Sequence, residues 1–228
     1  MKAAAVALLA AAVLAGCGEG EEAASSGHGE TTVAALGDSI TAGSPQWDPD
    51  PAARSGIADP NARSQYEYWA EQREPSLAFR NCGVFGERTD EIHARLDDCA
   101  EDADVLVIQG GINDIAQGRS IEAVAGSIQA MVDRCQALGI RVVLVDVLPW
   151  NNGQPRADRP IETLNGAIRQ IGRHEDVDVV PFHDALEDPE APGTMRTGWT
   201  IDGDHPSVEG YRILGELLAG HLAGGGRS

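Results

Sequence analysis

The sequence predicts an α/β domain built on a five-stranded parallel sheet with helices over both faces. Three observations point there. Apolar runs bounded by turn residues recur, and most are nearly continuous in apolar or small residues, as strands buried on both faces should be. Segments with helical spacing lie between them, and strand–helix alternation favours parallel strands joined by crossover helices. From Thr31 onward about 195 residues remain, with no internal repeat and no second linker, which suits one domain with a substantial core.

The elements follow in order. Strands are expected at TTVAALG (31–37), LAFRNCG (77–83), DVLVIQGG (104–111), RVVLVDVLP (141–149) and VDVVPF (177–182). Helices are expected at 64–74, 89–101, 120–139, 160–175 and 207–222. Ser120 and Thr89 suit helix starts, and Gly139 suits a stop. Binding groups should then collect at the C-terminal ends of the strands. Two long connections leave that face. Residues 44–63 are proline-rich and without periodicity, and 149–159 carry Trp150 beside paired asparagines. Loops of this length usually have a task, so 44–63 is expected either to cover the site or to be a surface insertion. Its acids, Asp48, Asp50 and Asp59, lack calcium-loop spacing and read as solvated.

The N-terminus belongs to no fold. Residues 1–16 carry one early lysine and then an apolar run of Ala, Val and Leu, too short for a comfortable membrane span, and read as a secretory signal. Leu14-Ala15-Gly16-Cys17 resembles a bacterial lipobox, which implies cleavage before Cys17 and lipid on that residue. A plain signal peptide cut nearby, or an uncleaved anchor, is the alternative. Residues 17–30 are rich in Gly, Glu, Ala and Ser and read as a flexible tether, 31–222 as the folded domain, and 223–228 as a disordered tail. Seventeen basic residues against 36 acidic give a net charge of −19, which repels nucleic acid.

Four short pieces carry chemistry. Three follow predicted strands and one precedes the last helix: GDSI (37–40), NCGVFGERT (81–89), GGIND (110–114) and DGDHPS (202–207). A serine hydroxyl needs a base, usually histidine, whose tautomer a carboxylate fixes. Asp202 and His205 are three residues apart, and a turn there can fold the carboxylate onto the imidazole. The N–H groups of Ser39 and Gly86, with the Asn113 amide, could receive an oxyanion. Singly, each piece reads more blandly. Ser39 could be a helix cap, Asp38 a turn-ordering residue, Gly86 a turn glycine and Asn113 loop chemistry. Asp90 and His93 share the three-residue spacing, but their helix makes them surface neighbours. His183 follows a strand and could line the site.

In this order and at these junctions, the four pieces resemble the SGNH/GDSL hydrolase family, with Ser39, Gly86, Asn113 and His205 at its marker positions and Asp202 completing a triad. The resemblance implies a flavodoxin-like three-layer α/β/α sandwich, hydrolysis of esters or thioesters through an acyl-enzyme intermediate, and no metal or organic cofactor. Two departures stand. Ile40 replaces the family's leucine, and Thr41 stands where a Gly-x-Ser-x-Gly elbow would have glycine, which argues against an α/β-hydrolase-fold lipase. The reading is a surface-tethered esterase, monomeric, held to the membrane by lipid on Cys17. Carbohydrate O-acetylesterase and non-catalytic binding lipoprotein remain open. Trp47, Trp150 and Trp199 could stack on sugars, line an acyl slot or pack in the core. Of the remaining cysteines, Cys99 and Cys135 sit at similar distances before their following strands, on helices expected to be neighbours. A helix of about ten residues, ~15 Å long, should separate Cys99 from Cys82. A Cys99–Cys135 disulfide with a free Cys82 is therefore expected.

Overall fold

The computed structural model describes residues 30–224, together with Met1. The signal sequence and nearly all of the tether, Cys17 included, lie outside the described residues. In chain order the elements are β1 (Thr31–Gly37), α1 (Ser39–Ala42), α2 (Pro51–Arg54), α3 (Tyr66–Arg73), β2 (Leu77–Gly83), α4 (Thr89–Ala94), α5 (Leu96–Ala100), β3 (Val105–Ile108), α6 (Ile112–Ala116) and α7 (Ile121–Leu138). There follow β4 (Arg141–Val145), a 3₁₀ turn (Asn151–Gly153), α8 (Asp158–Glu175), β5 (Asp178–Val180), α9 (Phe182–Leu186), a small hairpin of β6 (Glu187–Asp188) and β7 (Ala191–Met195), and α10 (Val208–Gly224). The last helix continues through the first two residues expected in the tail. Among the described residues no helix is long and apolar enough to cross a membrane.

The large sheet is parallel throughout, in the order β2-β1-β3-β4-β5. This is the flavodoxin-like order, whose ligand crevice opens between β1 and β3 where the winding reverses. Alternate strand residues serve two cores. Val33, Ala35, Val105, Val107, Val143 and Val145 pack under α3 and α10 against Tyr66, Tyr211, Leu214 and Leu218. Ala34, Leu36, Leu106, Ile108, Val142 and Leu144 pack under α4, α5, α7 and α8 against Leu96, Ile128, Met131 and Leu164. The apolar runs are continuous because both faces are buried. Helix α10 lies unusually close to α3: a Cβ at Gly215 would fall 2.4 Å from the Tyr66 carbonyl oxygen, so only glycine fits.

The expected disulfide is wrong. The bridge joins Cys82 to Cys99, with Cα atoms 6.1 Å apart, and Cys135 is free and buried. The error lay in reading 89–101 as one helix spanning the sheet. It breaks at Arg95 (φ −103°, ψ 3°) into α4 and α5. The Arg95 guanidinium donates to the Cys82 carbonyl (2.9 Å) and the Gly37 carbonyl (3.3 Å), so α5 starts near the top of the sheet. Cys82 pairs in register with Leu36 and packs into the same core as Leu36 and Cys99. Burial meanwhile pushes the Cys135 thiol up to about 11.

Candidate active site

Strand β1 ends at Gly37, and Asp38 caps α1 by accepting the Ile40 N–H at 2.9 Å through Oδ1. That cap places Ser39 in the first helical turn, where its own N–H has no intrahelical acceptor. Burial pushes the Asp38 carboxyl up to about 6, although the Ile40 N–H, Gln109 and His205 oppose the shift. Three side chains brace α1. Thr41 Oγ1 donates to Gln109 Oε1 (3.0 Å), so Tyr66 Oη must donate to Thr41 (2.8 Å), and Tyr211 Oη donates to the Ile40 carbonyl (3.0 Å). Gly83 lets β2 approach, since a Cβ there would fall 2.1 Å from Ala42 N. Thr41, the departure from an elbow motif, is thus a buried hydrogen-bonding post.

The turn before α10 supplies the acid and base. His205 Nε2 lies 3.1 Å from Ser39 Oγ, and its Nδ1 lies 2.8 Å from Asp202 Oδ2. Asp202 Oδ1 accepts the N–H groups of Asp204 and His205, both at 2.8 Å. Partial burial pushes the Asp202 carboxyl up, but these N–H donors and the imidazole outweigh it and hold it below the usual carboxylate range. Asp202 is the carboxylate in contact with the His205 ring. Asp204 points elsewhere: its Oδ1 accepts from Trp150 Nε1 (2.6 Å) and Asn152 Nδ2 (2.7 Å).

Asn113 lies on α6, after β3. Its Nδ2 donates to the Glu87 carbonyl (2.9 Å) and lies 3.5 Å from Asp38 Oδ2. Asp114, fully buried, accepts the Thr89 N–H and Oγ1 (2.9 Å each) and a bond from Arg119, which pins α4 to α6. Thr89 is therefore tied to Asp114 inside the first turn of α4, not a cap, whereas Ser120 does cap α7. Gly86 has φ +82°, a left-handed conformation that favours glycine. Its neighbours both touch the site. Phe85 stacks on His205 with ring centroids 6.3 Å apart, and the Glu87 carbonyl holds Asn113. The Glu87 carboxylate is gripped by Arg95, the same residue that ties down the ends of β1 and β2.

These residues enclose a cleft of about 170 Å³ lined by Ser39, Phe85, Ile112, Asn113, Ala116, Trp150 and His205, with Ile40 and Asp204 completing it. None of residues 44–63 contributes, so that loop does not cover the site. Trp47 instead lies under Arg54 (4.4 Å) and Trp199 under Arg196 (4.7 Å). His183 is also outside the cleft. It groups with Asp184 and Glu187 within 4.8 Å beyond β5, but Glu187 already accepts the Gly193 N–H. Asp90 is paired with Arg88 and Arg119, not with His93. Larger hollows of about 510 and 540 Å³ lie at the opposite end of the sheet, away from the Ser39–His205 pair. Sequence reasoning missed Arg95, Phe85 and Gln109. Only the loop position of Phe85, an aromatic beside Gly86, offered a signal.

A search of curated proteins finds no match. Among solved structures, the chain is similar to a protein assigned to the lipolytic G-D-S-L family from Desulfitobacterium hafniense DCB-2, at 23% identity over 83% of this chain and 98% of that one, with a TM-score of 0.69. It is similar to a GDSL-like lipase from Bacteroides thetaiotaomicron VPI-5482 (21% identity, 85% and 88% covered, TM-score 0.65). It is also similar to Axe2, an acetylxylan esterase from Geobacillus stearothermophilus (19%, 88% and 96%, TM-score 0.65). These likenesses establish the sandwich fold. The family model described as GDSL-like lipase/acylhydrolase matches residues 35–213 and so takes in every residue of the cleft: the chain belongs to that family.

Proposed function

We propose that the chain hydrolyses short acyl esters or thioesters with Ser39 as nucleophile. One observation carries the reading: Ser39 Oγ, His205 and Asp202 stand in a hydrogen-bonded line, 3.1 and 2.8 Å apart, at the wall of a small cleft. Ser39 Oγ attacks the carbonyl carbon as His205 Nε2 takes its proton. Asp202, kept anionic by two backbone donors, holds the Nδ1–H tautomer and balances the imidazolium. The oxyanion faces the N–H groups of Ser39 and Gly86 and the Asn113 amide, which trades its long 3.5 Å contact with Asp38 for the new charge. His205 then protonates the leaving alkoxide or thiolate, and water repeats the cycle on the acyl-enzyme.

The cleft volume supports a short acyl group. A cavity of ~150 Å³ takes a benzene-sized guest, so about 170 Å³ suits the reacting carbonyl and a few carbons. Acetyl is the smallest such group, so acetylated carbohydrate is the second reading. A fluorophosphonate should label wild type at Ser39, and Ser39→Ala should lose about 10⁴–10⁶-fold in kcat on p-nitrophenyl acetate. Near-normal turnover by Ser39→Ala would end the assignment. An unlabelled and inactive wild type would favour a binding protein on this scaffold.

We also propose a surface-tethered enzyme lipidated at Cys17, a reading supported by the apolar run of residues 1–16 and the lipobox-like Leu14-Ala15-Gly16-Cys17. Cys17→Ala should release the protein from membranes or block its maturation. A mature N-terminus beginning elsewhere, with Cys17 unmodified by mass, would refute this.

A further inference from the structure

Four hydrogen bonds tie the Asp202–His205 turn to residues 150–152 of the connection after β4. Asn151 N–H donates to the Gly203 carbonyl (3.0 Å). Asn152 Nδ2 donates to the Asp202 carbonyl (2.9 Å) and to Asp204 Oδ1 (2.7 Å), and Trp150 Nε1 donates to the same Asp204 oxygen (2.6 Å). Asn151 also bonds reciprocally with Met195, through its Oδ1 to the N–H (2.7 Å) and through its Nδ2 to the carbonyl (3.1 Å), which fixes the segment from its other side. One carboxylate oxygen thus receives both an indole and an amide, one residue from the base.

The direction of the bound ester follows from the chemistry, and this step rests on the esterase reading. The leaving group must lie within reach of His205, which protonates it, and Phe85 stacks on that ring. The carbonyl oxygen must face Asn113. The remaining substituent, the acyl chain, points at the other lining residues: Ile112 and Ala116, one turn apart on α6, and the indole of Trp150. Among the described residues, the bond to Asp204 and the ring's packing hold that indole at the wall.

We propose that Asp204 is a positioning residue, whose Oδ1 fixes both the His205 turn and the Trp150 wall that limits acyl length. The experiment compares wild type, Asp204→Ala, Asp204→Asn, Trp150→Phe and Trp150→Ala on p-nitrophenyl acetate, butyrate and octanoate, with kcat and KM separated. Trp150→Ala should narrow the acetate-to-octanoate ratio of kcat/KM by about tenfold or more, mainly through KM for the longer ester. Asp204→Ala should narrow the same ratio and also lower kcat on acetate by ~10–100-fold, the scale of a misplaced base. Trp150→Phe keeps a ring but gives up the donor and should fall between. Asp204→Asn retains an oxygen that can accept both donors, so it should stay within about threefold of wild type. Trp150 emission, taken as the difference between spectra with and without Trp150→Phe, should shift to the red in the Asp204→Ala background, a readout independent of turnover. Unchanged acyl preference and unchanged emission in Asp204→Ala would overturn the proposal. So would an Asp204→Asn as damaged as the alanine variant. A wild type that hydrolyses no ester would sink the esterase reading, while the emission shift alone would still decide whether Asp204 holds the indole.

Discussion

Cutting the Cys82–Cys99 bridge should destabilise the domain by an amount the structure fixes. The bridge spans 17 residues of sequence. Closing a loop of that length removes roughly 3 kcal/mol of chain entropy from the unfolded state. For a domain of this size each kcal/mol moves Tm by about 2–4 °C, so Cys82→Ser, Cys99→Ser or the double variant should each melt ~6–12 °C below wild type under oxidising conditions. The three should agree with one another, because any of them opens the same loop. Reductant should bring wild type down to them and leave them nearly unmoved. Cys135→Ala should not behave this way: it removes a buried sulfur, costs about 1 kcal/mol, and leaves the response to reductant intact. Differential scanning calorimetry with and without reductant measures all of this, and non-reducing peptide mapping identifies the pair. A Cys99–Cys135 linked peptide, or Cys82 and Cys99 variants melting with wild type, would refute the loop-closure reasoning and the broken-helix geometry beneath it.

Two further outcomes follow from the carboxylates. Asp202→Asn should cut kcat strongly while Asp90→Asn stays near wild type, as measured on p-nitrophenyl acetate, because only Asp202 contacts the imidazole (2.8 Å) and Asp90 is held by Arg88 and Arg119; equal loss in both would put the acid in the wrong place. Asp146 is buried at the end of β4, facing the His183 N–H, Arg169 and Asp184, and burial raises its carboxyl to about 6 against an ordinary 3.8. A raised carboxyl binds its proton more tightly when folded, so its contribution is full below pH ~4 and lost as pH rises through ~6, about 3 kcal/mol in all. Asp146→Asn should therefore gain stability relative to wild type between pH 4.5 and 7.5, as urea unfolding would show; a difference independent of pH would contradict this.

The strands and the site blocks were legible because each is local. Burial on both faces writes itself as continuous apolar sequence, and Ser39, Asn113 and His205 each sit at a strand end or helix start that turn residues mark. Asp202 was legible for the same reason, since a three-residue turn needs no knowledge of the rest of the fold. What could not be read depends on one side chain reaching across the molecule. Helix 89–101 looks unbroken in sequence, yet it breaks at Arg95, whose guanidinium bonds the Cys82 and Gly37 carbonyls across the molecule. The two long loops look equivalent, but Asp204 draws Trp150 to the cleft while residues 44–63 bond mainly among themselves. The β6–β7 hairpin gives no strand signal, because β6 is two residues long and β7 carries Pro192 and Gly193.

The missing Cβ at Gly215 reaches further than helix packing. Ser39 and His205 are 166 positions apart in sequence, and they meet because α10 seats against α3 and α1. Gly215 lies seven residues into that helix, ~10 Å along it. It acts as a gauge block: the depth to which α10 settles sets how far the imidazole stands from the hydroxyl. A side chain there would press α10 off α3, open that gap and loosen the core that Tyr211, Leu214 and Leu218 fill. Reactivity would then suffer from a position that touches neither substrate nor catalytic group.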